Sequence, residues 1–284
     1  MAMRDLRSLP PNPIPRGARL HFAQTHGLGT GESHEHGTDE PTKGCGCRGR
    51  PRLQLMEKNA AVVLSVVKEV LARNTGAVLL VATNPVDVMT YVALRCTGWD
   101  KGRIAGSGTV LDSARLRHLL SKHLNIDVHN VHGYVLGEHG DTEFVAWSMA
   151  HVAGMPIDEY CPICGHCADW GAERRDIEQS VRDSAYHIID YKGSTSFGIG
   201  LALVQIAGAI LRSQHSVLTV STLLDGHFGI KDVCLSAPCI VSETGVVSIV
   251  ESKLAPEEHR QLSASATALK KAVDELGSAG GSFS

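Results

Sequence analysis

No apolar run in the 284 residues approaches the ~20 needed to cross a bilayer, and no charged–apolar–small succession of a secretory leader is expected. Charge of one sign is also missing. Lys and Arg number 27 against 30 Asp and Glu, a net −3, which excludes the strongly basic face of a dedicated nucleic-acid binder. Eight cysteines in a chain this long do not make a dense disulfide framework, so a reducing, cytoplasmic setting is expected. Aromatics are scarce at 5%, and the first 50 residues hold a single one, Phe22, beside five of the eleven prolines and eight of the 29 glycines. The length allows two domains at about 150 residues each, but the first sixth is too poor in apolar residues to share in a core.

Residues 1–50 show no helical or strand periodicity. Pro10, Pro11, Pro13 and Pro15 oppose a helix, and Gly27-Leu28-Gly29-Thr30-Gly31 runs into a polar stretch. The segment is expected to be disordered or aberrant. A phosphate cradle at Gly27, Gly29 and Gly31 fails for want of a strand before and a helix after. His21, His26, His34 and His36 lack the fixed geometry that a metal requires.

The rest alternates. Met56–Arg73 is patterned as a helix, and Ala77–Ala82 is a fully apolar run, as in a strand buried on both faces. A helix follows Asn84-Pro85, with the proline in its first turn, and ends near Gly98. A strand at Arg103–Ala105 leads through Gly106-Ser107-Gly108-Thr109 into a helix from Val110 to Leu124. This βαβα order predicts an α/β fold with its ligand at the carboxyl ends of the strands. Further on, Val131–Leu136 and Glu143–Ala150 are predicted strands, and Ala172–Tyr191 and Ser196–Arg212 predicted helices. Ser216–Val250 is patterned as a β meander, and a last helix opens at Ala255-Pro256-Glu257-Glu258. The expected division is 1–50, a nucleotide-binding remnant at 51–110, a separate α+β domain at 111–276, and a flexible tail at 277–284.

Chemistry concentrates in Gly137-Glu138-His139-Gly140-Asp141, at the end of an apolar strand. Small neighbours let a reactant approach the imidazole, and Asp141 or a more distant carboxylate can fix its tautomer. Asp112 and Arg115, three apart, share a face of the preceding helix. If Asp112 meets His139, the pair is a general acid/base with a raised pKa, and Arg115 becomes a fork for a substrate carboxylate. Asn84, after a buried strand, can hold a carbonyl or hydroxyl. Taken singly, these residues suit a surface ion pair and a structural histidine; together they suit proton and hydride transfer on a small 2-oxo acid.

Three ordered motifs, Thr83-Asn84-Pro85-Val86-Asp87, Gly106-Ser107-Gly108-Thr109-Val110-Leu111-Asp112-Ser113-Ala114-Arg115 and Gly137-Glu138-His139-Gly140-Asp141-Thr142, resemble the lactate/malate dehydrogenase superfamily, on its bacterial L-lactate dehydrogenase branch. The resemblance runs from about Arg52 to Leu276, and Glu138 with Lys192-Gly193-Ser194-Thr195 favours lactate over malate. It implies an incomplete Rossmann-type parallel sheet followed by an α+β catalytic domain, NAD as cofactor, lactate and pyruvate as substrates, and a homotetramer. It implies His139 as proton donor and acceptor, paired with Asp112, and Arg52 as the group that polarises the carbonyl. Substrate would meet Arg52, Asn84, Asp87, Asp112, Arg115 and Thr195, and NAD would meet Ser65, Ala82, Thr83, Asn84 and Ser107. Similarity to members activated by fructose 1,6-bisphosphate makes Arg117 and His132 the phosphate-binding residues.

The chain departs from this pattern before Arg52. The strand, glycine-rich turn, helix and acidic residue that hold adenosine and pyrophosphate are not found in residues 1–50. The stretch corresponding to the mobile specificity loop is Gly44-Cys45-Gly46-Cys47-Arg48-Gly49-Arg50-Pro51, without its glutamine. This segment is expected to be a mis-started or frame-shifted reading, with poor NAD binding, little activity and an uncovered sheet edge. Malate dehydrogenase, or a non-catalytic subunit assembling with intact ones, are the alternatives. Cys161, Cys164 and Cys167 stand at x₂ spacing with His166 among them. Zinc or iron–sulfur ligation suits the spacing, but the usual further cysteine is absent, so the expectation is no metal and unmetallated thiols in an inserted loop.

Overall fold

The computed structural model describes residues 20–23, 50–73, 76–166, 168–192 and 196–278. Met56, Ala60, Val63, Val67 and Val70 recur at helical spacing and are buried, forming the inner stripe of α1 (Arg50–Arg73). After it, β2 (Val78–Val81) is buried at every position, as a strand covered on both faces must be. It pairs in parallel with β1 (Leu20–Ala23) on one side and β3 (Ile104–Gly106) on the other. β1 falls in the segment expected to lack regular structure. Leu20 to Ala23 match Val78 to Val81 one for one, so the edge of β2 that the sequence left open carries a backbone partner.

The helix after the cis Asn84–Pro85 peptide is α2 (Val86–Thr97). Pro85 is its N-cap, one residue outside the expected first turn, and Gly98 ends it at φ 61°. α3 (Val110–Leu124) has the expected bounds and stops at Asn125, a residue that tolerates its left-handed φ of 54°.

Two predicted strands are broken. Val131–Leu136 becomes β4 (Val131–His132) and β5 (Val135–Leu136), interrupted at Gly133-Tyr134. Glu143–Ala150 becomes β6 (Phe144–Val145) and a 3₁₀ turn, Trp147–Met149. Here neighbouring residues serve different cores: Phe144 joins the main one, whereas Val145 and Trp147 join a second cluster with Leu116, Leu120 and Leu124 of α3. A straight strand cannot supply both. β7 (His151–Val152), β8 (Met155–Pro156) and α4 (Ile157–Tyr160) complete this region.

α5 (Trp170–Lys192) and α6 (Ser196–Leu211) precede the expected meander of β9 (Ser216–Asp225), β10 (Lys231–Ser242) and β11 (Gly245–Ile249). The meander does not form a separate sheet. β9 pairs antiparallel with β3 at Gly106↔Ser221, giving one mixed sheet in the order β1-β2-β3-β9-β10-β11. The glycines permit the junction: at Gly108, with φ +52°, a Cβ would stand 2.5 Å from the Ser221 nitrogen. The boundary near residue 111 therefore divides the sequence but not the sheet. α7 (Pro256–Ser278) takes in Gly277 and Ser278, which were expected to start the tail; residues 279–284 lie outside the described residues.

α6 buries Ala202, Ile206, Ala209 and Ile210 but leaves Phe197, Leu201 and Val204 largely exposed along the opposite face. Among the described residues, no helix is long and apolar enough to cross a membrane.

Candidate active site

The parallel strands end on the motif loops. Ala82, Thr83 and Asn84 follow β2, and Ser107 follows β3 with its N–H donating to the Val81 carbonyl at 2.8 Å. Asn59 of α1 donates its amide to the Asn84 carbonyl at 2.8 Å. Ser65 is exposed near the middle of α1, six residues past Asn59 and so about 120° around the helix from it. It shares no described contact with these loops.

α3 enters from the same edge and is pinned before it presents its polar side chains. The Thr109 hydroxyl donates to the Val135 carbonyl at 2.5 Å, and the Ser113 hydroxyl receives the Val135 N–H at 2.9 Å. Asp112, on the first turn, is thereby buried with its carboxylate against two partners. One oxygen lies 2.8 Å from His139 Nδ1, and the other accepts from Arg115 at 2.8 Å.

The histidine turn is held from three directions. Gly137 exchanges backbone hydrogen bonds with Ser236 of β10 at 3.1 and 3.0 Å. The Ser265 hydroxyl of α7 receives the Glu138 N–H at 3.2 Å and donates to the Thr142 carbonyl at 2.7 Å. Gly137 has φ +94°, and a Cβ there would meet Ser265 Oγ at 2.6 Å, so both conformation and space demand glycine. The His139 N–H donates to Asp87 at 2.9 Å.

Asp87 was expected on substrate. It is 2% exposed, and its carboxylate accepts the backbone N–H of His139. Asp141 is exposed, and the tautomer is set by Asp112. An ionised carboxylate only accepts, so Nδ1 carries a proton and Nε2 is the exchanging nitrogen.

The electrostatics favour that reading. Burial alone pulls the His139 pKa down, but the Asp112 hydrogen bond and charge, helped by Glu143 and Asp87, carry it up to about 9. Burial opposes ionisation of Asp112, yet His139 and Arg115 hold it below the usual carboxylate range. Glu143, which sequence reasoning missed, is 6% exposed with an oxygen 3.9 Å from His139 Nδ1. Burial first, then the Asp112 charge, raise it to about 8. Burial likewise lifts Asp87 to about 6. Glu143 stands four residues after His139, a spacing that is legible, but its inward orientation is not.

Asp112, His139 and Glu143 bring one ligand atom each within 4.8 Å, near enough for a metal. The Arg115 guanidinium on Asp112 opposes a second cation there, and no metal is assigned. Arg117 donates to the Gly133 carbonyl at 3.4 Å, beside the exposed His132. These two expected phosphate ligands therefore share a neighbourhood, and burial lowers the Arg117 pKa. Arg52 lies in the first turn of α1, with its side chain outside the described residues; Thr195 and Cys167 lie outside them altogether.

Dinucleotide fit can be judged for one end. The loops after two parallel strands stand at the carboxyl ends, where sheets of this kind hold a dinucleotide. The glycine-bearing strand-to-helix turn among the described residues, Gly106-Ser107-Gly108-Thr109, commits its Ser107 and Thr109 N–H groups to the Val81 and Thr219 carbonyls. Hydride chemistry of the α/β dehydrogenase class suits this layout, since the imidazole stands where the parallel strands end.

Comparison narrows the class. Residues 46–106 match the lactate/malate dehydrogenase NAD binding domain, and residues 109–279 match the lactate/malate dehydrogenase alpha/beta C-terminal domain. The L-lactate dehydrogenase of Treponema denticola is 51% identical over 230 residues, covering 80% of this chain and 72% of that protein. That of Thermoanaerobacterium saccharolyticum is 46% identical over 228 residues, 80% and 73% of the two chains. Among solved structures, a lactate dehydrogenase from a Medee basin deep-sea metagenome library superposes with a TM-score of 0.78 at 39% identity, covering 85% of this chain and 75% of that one. The chain belongs to the lactate/malate dehydrogenase family, and the NAD binding domain match implies NAD as its cofactor.

Proposed function

We propose that the chain is an L-lactate dehydrogenase, interconverting (S)-lactate and pyruvate. The observation that carries this reading is the Asp112–His139 contact at 2.8 Å beside Arg115. NAD, when bound, supplies the hydride acceptor or donor, and Ala82, Thr83, Asn84 and Ser107 would hold its nicotinamide end. His139 keeps a proton on Nε2 and delivers it to the substrate oxygen during reduction, while Asp112 stabilises the imidazolium. Arg115 uses the guanidinium N–H groups not engaged by Asp112 to grip the substrate carboxylate. Arg52 polarises the carbonyl and Thr195 lines the pocket, as the family resemblance implies. Ser65 is retained as a cofactor residue on that resemblance alone.

Arg117 and His132 are assigned to fructose 1,6-bisphosphate, supported by their common neighbourhood at Gly133. The family's homotetramer is supported by the apolar stripe of Phe197, Leu201 and Val204. A cytoplasmic location is consistent with the absence of a spanning helix among the described residues.

Pyruvate-dependent NADH oxidation by the purified chain, compared with His139→Gln, tests the assignment. Turnover is expected to be slow, because the sequence of residues 1–50 does not read as a pyrophosphate-binding turn, but dependent on His139. Faster turnover of oxaloacetate makes the chain a malate dehydrogenase; no His139-dependent turnover overturns the reading and leaves the non-catalytic subunit.

A further inference from the structure

The run Cys161-Pro162-Ile163-Cys164-Gly165-His166 takes no part in the dehydrogenase constellation. Cys161–Ile163 form a 3₁₀ turn that sets the Cys164 sulfur 3.9 Å from that of Cys161. Gly165 then adopts φ +75°, and the chain turns so that the His166 N–H donates to Cys164 Sγ at 3.4 Å.

A third group arrives from the last turn of α3. His123 places Nε2 3.3 Å from Cys161 Sγ. Its other ring nitrogen lies 3.6 Å from a Glu173 oxygen on the first turn of α5, and its ring stacks on Trp170 with centroids 6.0 Å apart. Spacing in the sequence gave no hint of His123, which stands 38 residues before Cys161.

Tetrahedral zinc, with bonds of about 2.3 Å to sulfur and 2.0 Å to nitrogen, puts two sulfurs about 3.8 Å apart and a nitrogen about 3.5 Å from sulfur. Two of the ligand separations here match that geometry. Cys164 and the imidazole each meet Cys161 but are not gathered within 4.8 Å of one another, so binding requires the half-buried Cys164 side chain to move toward His123. A carboxylate on the far ring nitrogen is the usual partner of a metal-bound histidine, since it turns the lone pair toward the ion. A simple thiol–imidazole hydrogen bond explains neither the second sulfur nor its backbone donor.

We propose that Cys161, Cys164 and His123 bind one zinc ion, with Glu173 as the residue that orients His123. This replaces the expectation of unmetallated thiols. Binding exchanges the two thiol protons for the cation, and water completes four-coordination. His123 lies eleven residues, about 16 Å along the helix, from Asp112. The ion would therefore fasten the end of α3 to the start of α5, away from the reacting atoms.

Full-length protein, purified without an affinity metal and stripped with chelator, is titrated with cobalt. Expected are a thiolate-to-cobalt charge-transfer band, the intense visible bands of tetrahedral cobalt, displacement by one equivalent of zinc, and a rise in Tm with zinc. Cys164→Ser is expected to halve the charge-transfer intensity, and His123→Gln to abolish the tetrahedral visible bands. Glu173→Gln is expected to weaken zinc about tenfold without changing the spectrum. Absence of the thiolate band in reduced wild-type protein overturns the site, whatever the folding of the variants. Visible bands unchanged in His123→Gln overturn the three-ligand assignment, and so does a Cys161–Cys164 disulfide that persists under mild reductant.

Discussion

Asp112 is bonded to both His139 and Arg115, one carboxylate oxygen for each and both at 2.8 Å. The acid–base group and the carboxylate-binding fork thus share one buried anion, and the site's charge balance turns on it.

Removing that charge should separate the two roles. Asp112→Asn keeps the shape but lets the imidazole fall toward its ordinary range, and frees Arg115 from its anchor. A loss of at least about 100-fold in kcat for pyruvate reduction is expected at neutral pH. Titration of His139 by NMR, before and after the change, checks the cause: an unmoved pKa contradicts the argument.

Substitution of Arg115 by Lys should be far from conservative. A point ammonium cannot bond Asp112 and a substrate carboxylate together as a planar fork does. The KM for pyruvate should rise about tenfold or more, with a smaller effect on NADH binding. Steady-state kinetics with both substrates varied would reveal the contrast.

The pH dependence has a definite sign. His139 must be protonated to reduce a carbonyl, so pyruvate reduction should be level near neutrality and decline as pH passes about 9. Lactate oxidation should rise over the same range. Stability follows the same proton. A pKa raised in the fold above its ordinary 6.5 gives stabilisation fully present below that value, and lost as pH climbs through about 9. Glu143, raised to about 8, acts in the same direction from the ordinary glutamate range upward. Urea midpoints should therefore decline between pH 6 and 9, and Glu143→Gln should flatten the lower part of that decline.

Gly137→Ala should damage the histidine turn itself. The new methyl meets Ser265 Oγ at a backbone angle that side chains rarely adopt. A destabilisation of about 1–3 kcal/mol is expected. The double variant with Ser265→Ala should recover only the steric part, which denaturation curves of the set would apportion.

Polar substitution of the α6 stripe, as Leu201→Ser, should dissociate an oligomer without unfolding the protomer, because that side chain is 72% exposed. Sedimentation velocity beside circular dichroism tests this; an unchanged sedimentation coefficient removes the stripe from the interface.

Where one surface was to be buried, periodicity announced the elements. The bounds of α3 and the meander of β9 to β11 were readable for that reason. Strand β1 was not, because four residues amid prolines and glycines carry no period and become a strand only against β2. The breaks in β4–β5 and after β6 reflect two cores competing for adjacent residues, which one-dimensional alternation does not encode. Asp112, His139 and Arg115 were legible through motif and helix spacing. Glu143, Ser236 and Ser265 were not, since tertiary packing alone turns them toward the histidine. Ser265 stands 127 residues from the Glu138 amide it holds.

That last contact sets an order of events during synthesis. Every reacting side chain described here has been translated by residue 139, yet the turn bearing the imidazole has no support from α7 until well over a hundred further residues have followed. A nascent chain stalled before α7 would carry the chemistry without its geometry. Because chains fold as they emerge, the site should be among the last parts of the molecule to set, and ribosome-bound chains of increasing length should acquire it abruptly once Ser265 leaves the exit tunnel.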